Sequence, residues 1–298
     1  MTAPARIAAF AAALAMTFGV AVLAGGVIDP KAPAKADSGQ ADSAGHDDGM
    51  SSMSDKTAHS AEAGEADGVP GLAVADTKLR LVADRTTLPA GRTATYTFRI
   101  VDTRGRTIRD FELEHGRRLH LIAVRRDLTG YQHLHPTQAA DGTWSVPLRF
   151  AEPGTYRVYA DFIPKGAEKT TLGTDVLVDG NATYLPLPAL AQVADVDGYQ
   201  VQLSGTAPAG QMGKLTFTLT RNGRPVNDIQ PYLQARGHLV ALRQNDLAYL
   251  HVHPEDAATP GDRITFMTEL PSAGAYRLFL QFKHHNKIHT VAFTQEVR

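Results

Sequence analysis

The chain has no cysteine among its 298 residues. That excludes disulfides, thiolate zinc sites, thiol redox chemistry and the thiolate-ligated blue-copper centre. It does not place the chain inside the cell, because exported proteins often need no disulfide. Excess charge of either sign is also missing. The net charge is −1 at pH 7, and the chain lacks the basic stripe that a nucleic-acid surface needs. There is no P-loop, no dinucleotide fingerprint, no hydrolase nucleophile motif and no long amphipathic helical pattern. Hydrophobic content of 43% still supports packed cores over two domains' worth of chain.

Two local absences divide the N-terminal part. Residues 7–28 carry no charge and follow a single basic side chain, Arg6. Twenty-two helical residues would span about 33 Å, enough for a bilayer core of about 30 Å. Residues 1–28 therefore read as a signal anchor or a signal peptide, with everything after them extracytoplasmic. The apolar run is long for a signal peptide and favours an anchor. The small residues near 21–26 would suit a peptidase. Residues 29–71 hold almost no large aliphatics and cannot offset their ordering entropy, which predicts a disordered tether. His46, Met50, Met53 and His59 lie in it. They are copper-favouring donors, although a solvated tether needs no such role.

What is present is a repeat. His120-Leu-Ile-Ala-Val-Arg-Arg-Asp-Leu-Thr-Gly-Tyr-Gln-His133-Leu-His135-Pro136 returns without a gap as the stretch from His238 to His251-Val-His253-Pro254. Eight of 17 positions are identical, and six of the 12 histidines fall in the two copies. Around each copy lie short β-rich segments separated by turn signals such as Pro89-Ala-Gly91, Asp141-Gly142 and Asn222-Gly223. The pattern predicts an all-β chain of two tandem antiparallel β-sandwich modules, Ig-like or cupredoxin-like, at 72–180 and 193–298, joined by a linker at 181–192.

Within a strand, residues two apart share a face, so His133 and His135 project together, as do His251 and His253. A turn at Asp127–Gly130 that places Leu134 opposite Ala123 puts His120 on the same face, diagonal to His135. A one-residue slip would remove it. Each module thus offers a candidate metal site, His120, His133 and His135 in the first and His238, His251 and His253 in the second. Three neutral imidazoles without thiolate suit copper or zinc and leave a coordination position open. The competing reading is structural: buried histidines can bond backbone carbonyls, and His-Pro can simply end a strand. His284, His285 and His289 form a further metal-ligand candidate peculiar to module 2. His115 has no repeat partner and reads as a surface residue. Arg125 and Arg243 are expected to pair with Asp110 and Asp228. No repeated carboxylate stands beside the His-x-His, so an enzymatic reading would rest only on the open metal position.

With its His-Leu-x-x-Val-x-x-Asp-Leu run at 120–128, Tyr131, His133-Leu-His135-Pro136 and Gly154-x-Tyr156-Arg157, repeated over 238–277, the chain resembles bacterial extracytoplasmic heavy-metal-associated proteins with YtkA-like β-sandwich modules. The resemblance spans roughly residues 72–298 and departs at Asn245-Asp246. It implies copper handling by sequestration or delivery, a metal-transport partner, and contact with the membrane through residues 7–28. The alternative is a non-catalytic interaction or adhesion protein whose histidines are structural.

Overall fold

The structure is a computed structural model that describes residues 69–252 and 261–298. The N-terminal apolar segment, the tether as far as residue 68, with His46, Met50, Met53 and His59, and His253 lie outside the described residues, while the last tether residues, Pro70 and Gly71, are held by backbone bonds to Tyr249 and Thr171. All described residues belong to one compact unit, Glu62–Arg298. They form strands and turns, with no helix among them.

The first module contains β1 (Leu79–Ala83), β2 (Thr87–Leu88), β3 (Thr93–Asp102), β4 (Leu119–Arg125), β5 (Gln132–Leu134), β6 (Thr137–Gln138), β7 (Trp144–Arg149), β8 (Gly154–Phe162) and β9 (Thr170–Val178). They make two sheets, ordered β1-β3-β7-β6 and β2-β9-β8-β4-β5. The second module contains β10 (Val193–Val196), β11 (Tyr199–Thr206), β12 (Met212–Arg221), β13 (Arg224–Pro225), β14 (Gly237–Arg243), β15 (Tyr249–Val252), β16 (Arg263–Glu269), β17 (Gly274–His284) and β18 (Lys287–Val297). Its sheets run β10-β11-β12-β13, with β16 also on β12, and β15-β14-β17-β18. Pairing is antiparallel throughout except between β2 and β9. The all-β, duplicated architecture is the expected one.

Each sandwich has its own core. In module 1, Tyr96, Phe98, Trp144 and Phe162 are fully buried, and Phe111 sets its edge on Trp144 at 5.3 Å. Module 2 packs Phe217, Phe266, Phe282 and Phe293. Outer strands such as β7 and β16 alternate buried and solvent-facing residues, as strands with one wet face must. Tyr156 and its repeat Tyr276 donate their hydroxyl to the carbonyl four residues back, Glu152 and Ser272, closing the same corner twice.

β4 and β14 break the alternation. All seven residues of β4 are buried, as are six of the seven in β14. The continuous apolar runs Leu121-Ile-Ala-Val124 and Leu239-Val-Ala-Leu242 explain this, because both faces need cover. One face packs on the module's own core. The other meets its counterpart across the module boundary, in a third cluster containing Ile122, Val124 and Tyr159 from module 1 and Val240, Leu242, Tyr249 and Phe279 from module 2. Tyr131 stacks on Phe279 at 4.1 Å and 7°, and Tyr159 stacks on Tyr249 at 5.0 Å. Tyr131 and Tyr249 are repeat equivalents, as are Tyr159 and Phe279. The two repeats therefore meet isologously, about a pseudo-two-fold. They do not follow one another as separate beads. The linker adds to the joint through Leu187, while the Thr155 N–H donates to the Tyr184 hydroxyl at 3.0 Å.

Candidate metal centre

The histidines stand on the sheets that face each other. In β4–β5 the ladder pairs Leu121 with Leu134, Ile122 with His133 and Ala123 with Gln132. The register expected from sequence, Leu134 opposite Ala123, is thus corrected by two residues. The turn starts one residue earlier and is tighter than supposed, with the Arg125 N–H donating to the Thr129 carbonyl at 2.9 Å, the Leu128 N–H donating back to the Arg125 carbonyl at 2.8 Å and Leu128 at φ 64°. An even shift preserves the face. The next ladder step sets His135 beside His120, so the three imidazoles are closer than the diagonal arrangement allows. Their ring centroids lie 5.2 Å (His120–His133), 5.1 Å (His120–His135) and 4.9 Å (His133–His135) apart. One ring nitrogen of each lies within 4.8 Å of the others. His120 is 1% exposed and His133 8%.

The hydrogen bonds assign the protons. His120 Nε2 lies 3.2 Å from the Glu114 carbonyl, which can only accept, so this nitrogen carries the proton and Nδ1 keeps its lone pair. The Gln281 amide nitrogen donates to Thr290 Oγ1 at 3.1 Å, so Gln281 Oε1, 2.8 Å from His133 Nδ1, accepts from that nitrogen. His133 Nε2 is then also a lone-pair nitrogen, and it faces His120 Nδ1 at 3.0 Å. Two acceptors at hydrogen-bond distance repel unless something positive lies between or beside them. Nitrogens bound to one ion at about 2.0–2.1 Å sit roughly 3–3.5 Å apart, so this separation already suits an ion. His135 Nε2 is buried without a hydrogen-bond partner.

The environment keeps the rings neutral, as metal ligation requires. Burial, then the neighbouring His120 and His135, push His133 down to about 3. Burial, then His120, does the same for His135, to about 3. Burial also lowers His120, against the opposing bond to Glu114. Asp161, 0% exposed and paired with His120 across β4–β8, adds a carboxylate nearby. It accepts from Thr171 Oγ1 at 2.8 Å and from the Tyr249 hydroxyl of module 2 at 3.3 Å, and Lys169 Nζ lies 3.4 Å away.

Module 2 repeats the scaffold. Its ladder pairs Val240 with His251 and Leu239 with Val252, the register of module 1. The side chain of His251 is outside the described residues. His238 Nε2 bonds the Tyr232 carbonyl at 3.0 Å, as His120 bonds Glu114. In both cases the carbonyl belongs to a tight turn whose central residues, His115-Gly116 and Leu233-Gln234, have positive φ. Burial, then His133, brings His238 to about 3. That coupling reflects the module packing: His238 lies 6.0 Å from His133 and 5.3 Å from His115, centroid to centroid. His115, read from sequence as a surface residue, is half-buried at this joint. Nothing in its local sequence announces the position, because the neighbour that covers it is 123 residues away.

The other candidates separate. His284 and His285 stack at 4.0 Å and group with Asp228. Both His284 nitrogens are engaged, Nε2 with Asp228 Oδ1 at 2.8 Å and Nδ1 with the Tyr199 hydroxyl at 2.6 Å. His285 Nδ1 meets the Arg221 guanidinium at 3.0 Å, which would oppose a cation. His289 bonds Asp197 at 2.7 Å, with its ring 4.6 Å from that of Tyr199. The expected pairing of Arg125 and Arg243 with Asp110 and Asp228 is also corrected. Arg125 holds Asp127 through two bonds, of 3.0 and 2.6 Å. Arg243 holds Asp246 in the same manner. Asp246 thus does the work of Asp127 one position later in the turn, which accounts for the sequence departure at 245–246. Side chains that bond within a turn need not keep the ungapped alignment.

The family described as Domain of unknown function (DUF8832) matches residues 73–178 and again 194–298. No curated protein matches the chain. Among solved structures, the chain is similar to a DUF4426 family protein from Pseudomonas aeruginosa, with 10% identity, TM-score 0.27, and coverage of 36% of this chain and 96% of that one. It is similar to the Escherichia coli adhesin FdeC, with 15% identity, TM-score 0.24, and coverage of 76% and 66%. It is also similar to domains 4 and 5 of the S-layer protein SbsC, with 15% identity, TM-score 0.21, and coverage of 76% and 98%. Likenesses this slight carry no argument about activity.

Proposed function

The chain belongs to the DUF8832 family, carrying its domain twice, and on that premise, which names no chemistry, we propose that it is an extracytoplasmic metal-binding protein. His120, His133 and His135 hold the ion, copper or zinc, for sequestration or delivery to a metal-transport partner. One observation carries the reading: the inward nitrogens of His120 and His133 stand 3.0 Å apart, each with its proton committed elsewhere. A cation relieves that repulsion, and His135 supplies a third donor within 4.8 Å. Neutral imidazoles without thiolate fit Cu(II) and Zn(II). The repeat extends the proposal to His238, His251 and His253. Residues 7–28 would hold the protein at the membrane, and His46, Met50, Met53 and His59 on the tether would feed ions to the modules, in keeping with the YtkA-like heavy-metal-associated proteins it resembles.

A second reading makes the histidines structural in an interaction or adhesion protein. The observation in its favour is that His120 and His238 each tie down a turn carbonyl, a bond that would hold the fold with no ion present. Titrating the purified chain with Cu(II) and Zn(II), beside a variant with His120, His133 and His135 changed to alanine, separates the two. Stoichiometric binding of which the folded variant loses one equivalent supports the metal reading. A folded parent that takes up neither ion sinks it.

A further inference from the structure

One residue that bonds the His120–His133–His135 set comes from the other module and is neither charged nor a histidine. Gln281 lies on β17, 6% exposed, directly across the ladder from His238. That is the place Asp161 occupies opposite His120 in module 1. Its amide is held from behind, with Nε2 donating to Thr290 Oγ1 at 3.1 Å, so Oε1 points across the boundary to His133 Nδ1 at 2.8 Å. A neutral imidazole has one proton. Holding it on Nδ1 leaves the Nε2 lone pair aimed at His120 and the shared ion position. If the bond were lost, the proton could move to Nε2 and bridge to His120 Nδ1, 3.0 Å away, so that a hydrogen bond would fill the ion's place.

We propose that Gln281 is a positioning residue for the metal centre, setting the tautomer of His133 from the opposite module. The centre is then a product of the docked pair of modules, although all three proposed ligands belong to the first. This rests on the metal-binding reading above. Outer partners that orient a metal-bound histidine are worth about 10–100-fold in metal affinity, and here that partner is 148 residues from the ligand it orients. Docking and ion binding are therefore linked: an ion that favours the Nδ1–H form of His133 also favours the interface that enforces it.

The test uses the full chain with Gln281→Leu, which removes the acceptor and keeps the bulk, and Gln281→Glu, which restores an acceptor that Thr290 can still support. Cu(II) and Zn(II) affinities are measured by competition titration, and the His133 tautomer in the metal-free protein by long-range proton–nitrogen NMR. The expected result is about 10–100-fold weaker binding in Gln281→Leu with the number of ions unchanged. His133 is Nδ1-protonated in the parent and shifts toward Nε2–H in Gln281→Leu, and affinity recovers in Gln281→Glu. A loss that is only structural would not move the tautomer and would not be rescued by glutamate. A parent that binds ions while Gln281→Leu binds them equally well overturns this inference and leaves the metal reading standing. An Nε2-protonated His133 in the parent overturns it too, and that measurement decides the matter should Gln281→Leu not fold. A folded parent that binds neither ion overturns both.

Discussion

Phe279→Ala tests whether the two modules form one cooperative body. Phe279 is 4% exposed and stacks on Tyr131 of the other module. Its ring serves the boundary cluster, not the core of its own sandwich. Truncating a buried phenylalanine costs about 3–5 kcal/mol, including the cavity left behind, and about 0.5–1.5 kcal/mol of that is the aromatic pair. With a urea dependence near ~2–3 kcal/mol/M, the midpoint should fall by about 1–2 M. The chain has a single tryptophan, Trp144, on β7 in the sheet of module 1 that does not face module 2. Its emission therefore reports on module 1 while the substitution sits in module 2. If the boundary cluster joins the modules, the Trp144 transition and the far-ultraviolet circular dichroism transition move down together. A Trp144 midpoint that stays in place, while part of the dichroism is lost earlier, would refute the coupling and show module 2 unfolding alone.

Other consequences follow from the same geometry. With His133 near 3 in the fold and about 6.5 when unfolded, the unfolded chain binds more protons between those values. Metal-free stability is therefore complete above about pH 6.5 and falls as pH drops toward 3. His133 alone accounts for about 2–3 kcal/mol by pH 4.5, with His135 and His238 acting in the same direction; urea midpoints that match at pH 7.5 and 4.5 would contradict this. Gly173→Ala would put a methyl group 2.1 Å from the Gly71 carbonyl oxygen, which accepts from Arg157 at 2.7 Å. The cost should be about 1–3 kcal/mol, readable by thermal unfolding, whereas Gly105→Ala, with no neighbour in the way, should pay only for its positive φ. Adding Zn(II) at about one hundred times its dissociation constant should stabilise the parent by about 2.7 kcal/mol, a rise of roughly 5–10 °C in Tm. His135→Ala should lose the share of that rise that comes from the module 1 site, and an equal rise in both proteins would remove His135 from the site.

The histidine face was legible before any coordinates because it depends on parity. Side chains alternate along a strand, so His133 and His135 share a face whatever the fold. His120 joins them in any register shifted by an even number of residues, which is why a two-residue error in the turn left the grouping intact. The Arg–Asp pairs were misassigned for the opposite reason. Which carboxylate a guanidinium reaches depends on the course of a turn, and Asp127 and Asp246 curl back within theirs. The buried runs of β4 and β14 held a signal that alternation obscured. Leu-Ile-Ala-Val and Leu-Val-Ala-Leu have no polar member, and such runs require cover on both sides.

What the linear chain decided, then, is everything governed by short-range periodicity and by residue chemistry: two β-modules, the shared face of His120, His133 and His135, and a cluster of imidazoles in a chain with no thiol. What only the folded molecule decided is everything that depends on burial between distant segments. The apolar outer faces of β4 and β14 have no partner within their own sandwiches and cover each other. That docking brings His238 to His115 and His133 and sets Gln281 against His133. No spacing in a sequence records such contacts, because apolar burial is non-directional and its register comes from the shapes of two finished surfaces.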